Sequence, residues 1–220
     1  MDEEEREHGP ESAAPEGQRG SSDRVRRREK KSDGDERMEL YDWIQCIVSA
    51  LVVGILVFIF FVRVVNVEGS SMWPTLHDED MILTSNFLYT PKAGDVVVFQ
   101  TDSYSESPLV KRVIATEGQT VDIDFERGIV YVDGKAIDEP YTAELTVTRE
   151  DFDGPVTVPE GCLFLMGDNR NHSTDSRRST IGMVDERCVL GRVLMVVLPS
   201  NRGSLGENVK RDMSRIGSIY

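Results

Sequence analysis

The feature that most constrains this chain is a stretch of 20 residues without a charge, from Trp43 to Val62. At about 1.5 Å of rise per residue, a helix of this length spans the roughly 30 Å hydrocarbon core of a bilayer. A cleaved secretory signal is the alternative, but its apolar core is usually only about 7 to 15 residues long, and no small-x-small site directly follows this run. The sequence therefore predicts one transmembrane helix over residues 41–64.

The basic residues near the two ends of this run are distributed unequally. Only Arg63 follows it closely, whereas seven basic residues lie within residues 24–37, shortly before it: Arg24, Arg26, Arg27, Arg28, Lys30, Lys31 and Arg37. Such a bias keeps the N-terminus in the cytoplasm, so we expect a single-pass protein of the cell membrane with everything after Arg63 outside the cytoplasm. The basic block is a topology signal that contacts anionic lipid of the bilayer. A net charge of −14 argues against a nucleic-acid partner.

The remaining segments differ sharply in composition. Residues 1–40 are rich in Glu, Gly, Pro, Ser and Arg and bury too little apolar surface to offset the entropy of ordering, which predicts a disordered cytoplasmic tail. Residues 65–200 form short runs of strand composition that alternate with turn residues. Asp133-Gly134 between two such runs indicates a hairpin with a type I′ turn. We therefore predict a mostly β domain with a curled or barrel-like sheet over 65–200, and a loosely held C-terminal tail over 201–220.

The cysteines and histidines do not form a metal-binding pattern. The three cysteines, at positions 46, 162 and 188, have no metal-ligand spacing, and no histidine cluster accompanies them. We expect neither a metal nor another cofactor. Cys162 and Cys188 both begin strand-like runs in the exported domain; two buried free thiols are favoured over a disulfide.

Ser71 lies a few residues beyond the apolar run, and a serine hydroxyl is a poor nucleophile until a base removes its proton. Lysine serves as that base when burial disfavours its charged form. Alternation along the strand places Lys111 on the apolar face with Leu109 and Val113; a surface lysine on an edge strand is the other interpretation. A Ser-His-Asp triad of Ser173, His172 and Asp175 is a further alternative, but no sequence context positions it.

Four motifs in a fixed order strengthen the Ser/Lys interpretation. They are Ser71-Met-Trp-Pro-Thr-Leu76, Gly94-Asp-Val-Val-Val-Phe99, Lys111-Arg-Val-Ile-Ala115 and Gly167-Asp-Asn-Arg-Asn-His-Ser-Thr-Asp-Ser-Arg177. Together they resemble the bacterial type I signal peptidases, from the apolar helix to about Leu198. The resemblance implies a membrane-anchored serine endopeptidase that removes signal peptides from exported preproteins after small residues, at Ala-x-Ala-like sites.

The resemblance also implies a role for each matching residue. Ser71 is the nucleophile and Lys111 the general base, and the Ser173 hydroxyl bonds to the lysine amine. The residues that hold the site together by ion pairing are Arg112, Asp168, Asp175 and Arg177. The substrate-binding residues are Val67, Gly69, Met72, Leu76, Leu109 and Val110. Some family members carry a serine at the position of Gly69, whose hydroxyl is a second oxyanion donor, so this chain departs from the pattern there.

Two other functions stay open at this stage. One is a Ser/Lys protease dedicated to the maturation of a particular exported or pilin-like protein. The other is a catalytically silent, membrane-anchored β domain that binds partners, although intact Ser71 and Lys111 weigh against it.

Overall fold

The computed structural model describes residues 19–101, 107–201 and 211–219. It begins with helix α1, Arg19–Phe61. Within α1, the segment Met38–Phe58 has a mean hydropathy of 2.0, is long and apolar enough to cross a membrane, and is 0% buried. Such a fully exposed apolar surface is what a helix in contact with lipid presents.

The bounds of α1 differ from the predicted ones. Residues 19–40 are helical, where disorder was predicted, and residues 1–18 lie outside the described part. Arg, Lys and Glu have high helix propensity, and extending an existing helix avoids the cost of nucleating a new one. At the other end, α1 stops at Phe61, and the β-branched residues from Val62 onward begin the first strand instead.

The domain after α1 consists of antiparallel strands. They are β1 Val62–Asn66, β2 Met81–Ser85, β3 Val96–Phe99, β4 Leu109–Thr116, β5 Thr120–Asp124, β6 Ile129–Val132, β7 Lys135–Ala136, β8 Val156–Thr157, β9 Cys162–Met166, β10 Val184–Asp185, β11 Val189–Leu198 and β12 Gly217–Ser218. An eight-stranded sheet has the order β1-β2-β11-β3-β4-β9-β10, with β12 paired to β11, and a four-stranded sheet has the order β7-β6-β5-β8. Register shifts in β4 and β11 bend these strands. The predicted mostly β fold with one N-terminal apolar helix is confirmed.

The predicted hairpin is confirmed as well. Strands β6 and β7 pair through Val132 and Lys135. Between them, Asp133 and Gly134 have φ angles of 51° and 73°, the positive values that a type I′ turn needs at both central residues.

Three apolar clusters fill the domain. One lies around β5 and β6 and includes Ile114 and Phe164. The second joins the segment after β1 to β2, β3 and β4, and includes Val67, Met72, Leu76 and Val110. The third packs β3, β4 and β9 together through residues such as Val97, Val113 and Leu165. Strand β4 contributes to all three clusters and is therefore the most constrained support for a functional side chain.

The C-terminal segment is not the loose tail that was predicted. Residues 202–210 lie outside the described part, but Met213–Arg215 form a 3-10 helix and β12 pairs with β11. The Arg215 Nη2 atom lies 2.6 Å from Oδ2 of Asp80, a residue with 0% exposure. A buried carboxylate needs an opposite charge, and the end of the chain supplies it. The polar composition of the segment hid this contact from sequence reasoning.

Candidate active site

Ser71 lies in a tight turn just after β1. The Trp73 N–H donates to the Ser70 carbonyl at 3.1 Å, which closes the turn around Ser71. Before it, the Gly69 N–H donates to Asp78 Oδ1 at 2.7 Å. Gly69 has a φ of +84°, in the region that side chains disfavour. The backbone conformation therefore gives a physical reason for glycine at this position.

Lys111 reaches this turn from β4. Its Nζ atom donates to Ser71 Oγ at 2.8 Å and to the Val110 carbonyl at 2.9 Å. The residue is only 3% exposed. Burial lowers the pKa of Lys111 to about 8, while the negative charges of Asp175 and Asp168 act in the opposite direction. A substantial fraction of the amine is consequently neutral at mildly alkaline pH, as a general base must be.

The surroundings of β4 agree with the predicted alternation. Leu109 and Val113 pack in the cluster between β3, β4 and β9, whereas Val110 and Ile114 belong to the other two clusters. Lys111 pairs across the sheet with Val97, which belongs to the same cluster as Val113. The surface-lysine interpretation is wrong, since Lys111 is buried.

The segment after β9 brings carboxylates and guanidinium groups under the site. Asp175 accepts the Gly167 N–H at 3.0 Å and the Arg177 Nε–H at 2.8 Å. Arg177 also donates to the carbonyls of Thr148 and Arg170, at 2.8 and 2.6 Å. Because these groups are buried and their charges are compensated, they form a rigid support.

Asp168 joins three of the four motifs. Arg112 grips its carboxylate with two hydrogen bonds, Nε to Oδ1 at 2.8 Å and Nη2 to Oδ2 at 2.7 Å. Arg112 also donates to the Gly94 carbonyl at 2.7 Å. The Thr75 hydroxyl, four residues after Ser71, donates to Asp168 Oδ2 at 2.5 Å. Sequence reasoning missed Thr75, although its place in the first motif was a signal that could have identified it.

Ser173 differs from its predicted contact. Its hydroxyl is buried and has no hydrogen-bond partner among the described residues, so the predicted bond to the lysine amine is not formed. Ser173 nevertheless lies beside the site, because a Cβ added at Gly167 would come within 2.2 Å of Ser173 Oγ and 2.4 Å of the Ser71 carbonyl oxygen. The close approach explains why position 167 is glycine.

Most predicted substrate-binding residues lie together but are deeply buried. Val67, Met72, Leu76 and Val110 share one apolar cluster, whereas Leu109 packs on another. Met72 and Leu76 are 1% and 0% exposed, so they offer almost no surface to a ligand. Gly69 lies in the turn itself.

The alternative triad is not assembled. His172 is exposed, whereas Ser173 and Asp175 are buried. The Asp175 carboxylate already binds Arg177 and the Gly167 N–H, so it has no role in orienting an imidazole. Cys162 and Cys188 are free thiols in the structure, and the described residues contain no cluster of three or more His, Cys, Asp or Glu side chains that could hold a metal.

On this antiparallel β-sheet, a serine hydroxyl is hydrogen-bonded to a buried lysine amine, a contact through which an amine can take the proton of a hydroxyl. Residues 40–198 match the family described as signal peptidase, peptidase S26. The signal peptidase I of Bacillus licheniformis is 36% identical over 76% of this chain and 93% of its own length.

Other relatives agree. Signal peptidase I T of Bacillus subtilis is 36% identical over 73% of this chain and 86% of its own length. A crystal structure of a signal peptidase I from Enterococcus faecalis is 29% identical, covers 47% of this chain and 97% of that chain, and has a TM-score of 0.41. The chain belongs to the signal peptidase family, peptidase S26. The family resemblance and the class of enzyme predicted from the motifs, a serine endopeptidase, are confirmed.

Proposed function

We propose that this protein removes signal peptides from exported preproteins, with Ser71 as the nucleophile and Lys111 as the general base. The observation that carries the proposal is the 2.8 Å hydrogen bond between Lys111 Nζ and Ser71 Oγ, made by an amine that is almost fully buried. Two buried ion pairs keep the Ser71 and Lys111 side chains in position: Arg112 with Asp168, and Arg177 with Asp175. Ser173 stands beside the dyad as an auxiliary group.

The chemistry follows from the two atoms in contact. The neutral Lys111 amine takes the proton of the Ser71 hydroxyl while the Ser71 oxygen attacks the scissile carbonyl. The ammonium then protonates the leaving amine, and the acyl group stays on Ser71 as an ester. Water, activated by the same amine, hydrolyses this ester and restores the free serine.

The negative oxygen of the tetrahedral intermediate needs a hydrogen-bond donor. We take the Ser71 backbone N–H as this donor, because it belongs to the residue that attacks and no described residue accepts a hydrogen bond from it. Gly69 supplies no hydroxyl. The main-chain donor therefore carries most of the oxyanion stabilisation in this enzyme.

The extended substrate binds beside β4. Residues 109–111 pair with β3 on one edge, but pairing with β9 on the other edge begins only at Arg112 and Met166. Within the described residues, the edge next to Lys111 is consequently open to a peptide in β conformation. The main-chain N–H and carbonyl of Val67 are already bonded to Asp80 and Glu79. A peptide can therefore pair with the segment before Ser71 only along the edge that faces away from these two residues. We expect the closely packed apolar residues around Ser71 to leave room only for alanine-sized side chains near the cut.

The membrane anchor places the reaction. The apolar segment of α1 crosses the cell membrane with its basic N-terminal flank in the cytoplasm, and the β domain lies on the other side. Only eight residues, Arg63 to Ser70, separate Ser71 from the end of the uncharged run at Val62. The nucleophile is therefore close to the surface where a signal peptide leaves the bilayer.

The test is cleavage of a preprotein by purified enzyme in detergent. We expect Ser71→Ala and Lys111→Ala each to lower kcat/KM by at least about 10⁴-fold, as when one member of a catalytic unit is removed. Circular dichroism should show an unchanged β fold. Both variants should also resist a serine-directed acylating reagent that labels the wild-type protein, and a silent binding domain would resist it even as wild type. A Lys111→Ala protein that processes the preprotein at neutral pH would refute the dyad.

A further inference from the structure

Asn169, which is distant in the sequence, contacts the turn that carries Ser71. Its side-chain Nδ2 donates to the Ser70 carbonyl oxygen at 3.0 Å, across 99 residues of sequence. Its backbone N–H donates to the Ser71 carbonyl oxygen, also at 3.0 Å. One residue thus binds the carbonyl groups on both sides of the nucleophile.

The first of these bonds fixes the direction of an N–H group. The peptide bond between Ser70 and Ser71 is trans, so its carbonyl and the Ser71 N–H point in opposite directions within one plane. The Ser70 carbonyl accepts from Asn169 Nδ2 and from the Trp73 N–H. Two donors of independent origin on one oxygen restrict rotation of the plane, and they therefore restrict the direction of the Ser71 N–H.

The direction of the Ser71 N–H matters more in this protein than in an enzyme that has a second hydrogen-bond donor for the oxyanion. A donor stabilises an oxyanion only when it is aimed in advance at the position that the oxygen will occupy. Gly69 has no hydroxyl, and its φ of +84° disfavours any residue with a side chain. The Ser71 N–H must therefore keep its orientation without a neighbouring hydroxyl at position 69.

We propose that Asn169 is a positioning residue that aims the Ser71 N–H at the oxyanion through the Ser70 carbonyl. The inference rests on the proposed function, because it takes the Ser71 N–H as the oxyanion donor. In the described part of the chain, Asn169 makes no hydrogen bond to the Ser71 hydroxyl or to the Lys111 amine. Its effect is on the transition state, and it leaves ground-state binding of the peptide unchanged.

The test compares two ligands that differ only at the reacting carbon. A peptide aldehyde forms a hemiacetal: the Ser71 oxygen bonds to the aldehyde carbon, the carbonyl pair moves to its oxygen, and the hydroxyl proton passes to Lys111. The corresponding peptide alcohol forms no adduct and has no oxyanion. We expect Asn169→Ala to weaken the aldehyde about tenfold and lower kcat by a similar factor, part of the effect of removing an oxyanion donor. The alcohol and KM should change less than twofold.

Two further variants keep the result interpretable. Asn169→Asp retains the shape of the side chain but turns a carboxylate oxygen toward the Ser70 carbonyl, so its loss should be at least as large as that of Asn169→Ala. His172→Ala is the matched control: it removes an exposed side chain from the same turn and leaves intact the His172 N–H bond to the Asn169 carbonyl. We expect this control to match the wild type with both ligands.

The outcomes separate the inference from the proposed function. Equal weakening of aldehyde and alcohol by Asn169→Ala would mean a loosened fold and would overturn the inference, as would an unchanged aldehyde affinity. Ser71→Ala should bind the aldehyde no better than the alcohol. If Ser71→Ala keeps the aldehyde preference, the nucleophile itself is wrong and the inference fails with it. If only the Asn169 variants behave like wild type, the dyad stands and the inference alone fails.

Discussion

Two neighbouring basic side chains on β4 share the same burial and have opposite surroundings. Lys111 and Arg112 are each 3% exposed. Arg112 holds the Asp168 carboxylate in a two-point ion pair and stacks on the Tyr141 ring, whose centroid lies 3.9 Å from the guanidinium carbon. The described partners of Lys111 are a hydroxyl and a carbonyl. Burial with a counter-ion keeps a cation charged and structural, whereas burial without one pushes an amine toward its neutral, reactive form.

The largest expected effect comes from breaking the buried ion pair between Arg112 and Asp168. Arg112→Met would leave the carboxylate of Asp168, which is 0% exposed, without its cation. Removing one partner of a buried pair costs about 3 to 5 kcal/mol, so the free energy of unfolding should fall by that amount in urea denaturation. The double variant Arg112→Met with Asp168→Asn is the control, because it removes the uncompensated charge. It should recover a large part of the loss; a double variant as unstable as Arg112→Met alone would contradict the assignment of the pair.

Replacing Lys111 should change the free energy of unfolding in the opposite direction. The pKa of Lys111 is lowered from 10.5 to about 8, so the unfolded chain binds more protons than the folded one between these values, and stability rises with pH across that window. Below pH 8 the buried ammonium carries its full cost. Lys111→Met should therefore stabilise the domain at pH 7, by up to about 3 kcal/mol.

This difference should also depend on pH in a specific way. Lys111→Met and wild type should nearly converge in stability by about pH 10.5, where the lysine is neutral in the folded protein and half deprotonated in the unfolded chain. Parallel urea titrations at pH 7 and pH 10.5 measure it. A destabilised Lys111→Met protein at pH 7 would contradict the claim that this amine is uncompensated.

The smallest expected effect concerns the hydroxyl beside the dyad. Ser173 Oγ is buried without a hydrogen-bond partner in the described residues, so Ser173→Ala loses no bond and should leave the melting temperature within about 2 °C. We expect kcat to fall less than about tenfold and substrate preference to stay the same. Steady-state kinetics on two preproteins check this. A thousandfold loss would mean that Ser173 binds the lysine amine during turnover and that Lys111 has a further polar partner.

Much of the β domain could be predicted from local patterns. Strands β4, β5, β6 and β9 each coincide with a short run of strand composition that turn residues border. The strands β10 and β12 are only two residues long and carry no such pattern. β12 lies beside β11, in a segment held by the ion pair between Arg215 and Asp80, a contact across 135 residues that composition does not reveal.

The candidate site shows the same limit. Ser71 and Lys111 were accessible from sequence because motifs mark them, and alternation suggested a buried lysine. Asn169 and Thr75 act through contacts with Ser70 and Asp168, 99 and 93 residues away in the chain. Such long-range pairs depend on how the loop after β9 meets the turn after β1. The bond predicted from Ser173 to the lysine amine is not formed for a related reason, because a hydrogen bond depends on rotamers that a sequence does not specify.

The pH dependence of kcat/KM is the direct test of whether Lys111, the buried lysine without an ion-pair partner in its described bonds, is the base of the reaction. Only the neutral amine accepts a proton, and the pKa of Lys111 is about 8. Measured on a preprotein from pH 6 to pH 10, kcat/KM should rise about tenfold per pH unit on the acidic side and level off above a pKa near 8. A rate independent of pH across this range, or one that falls as the lysine is deprotonated, would contradict the account.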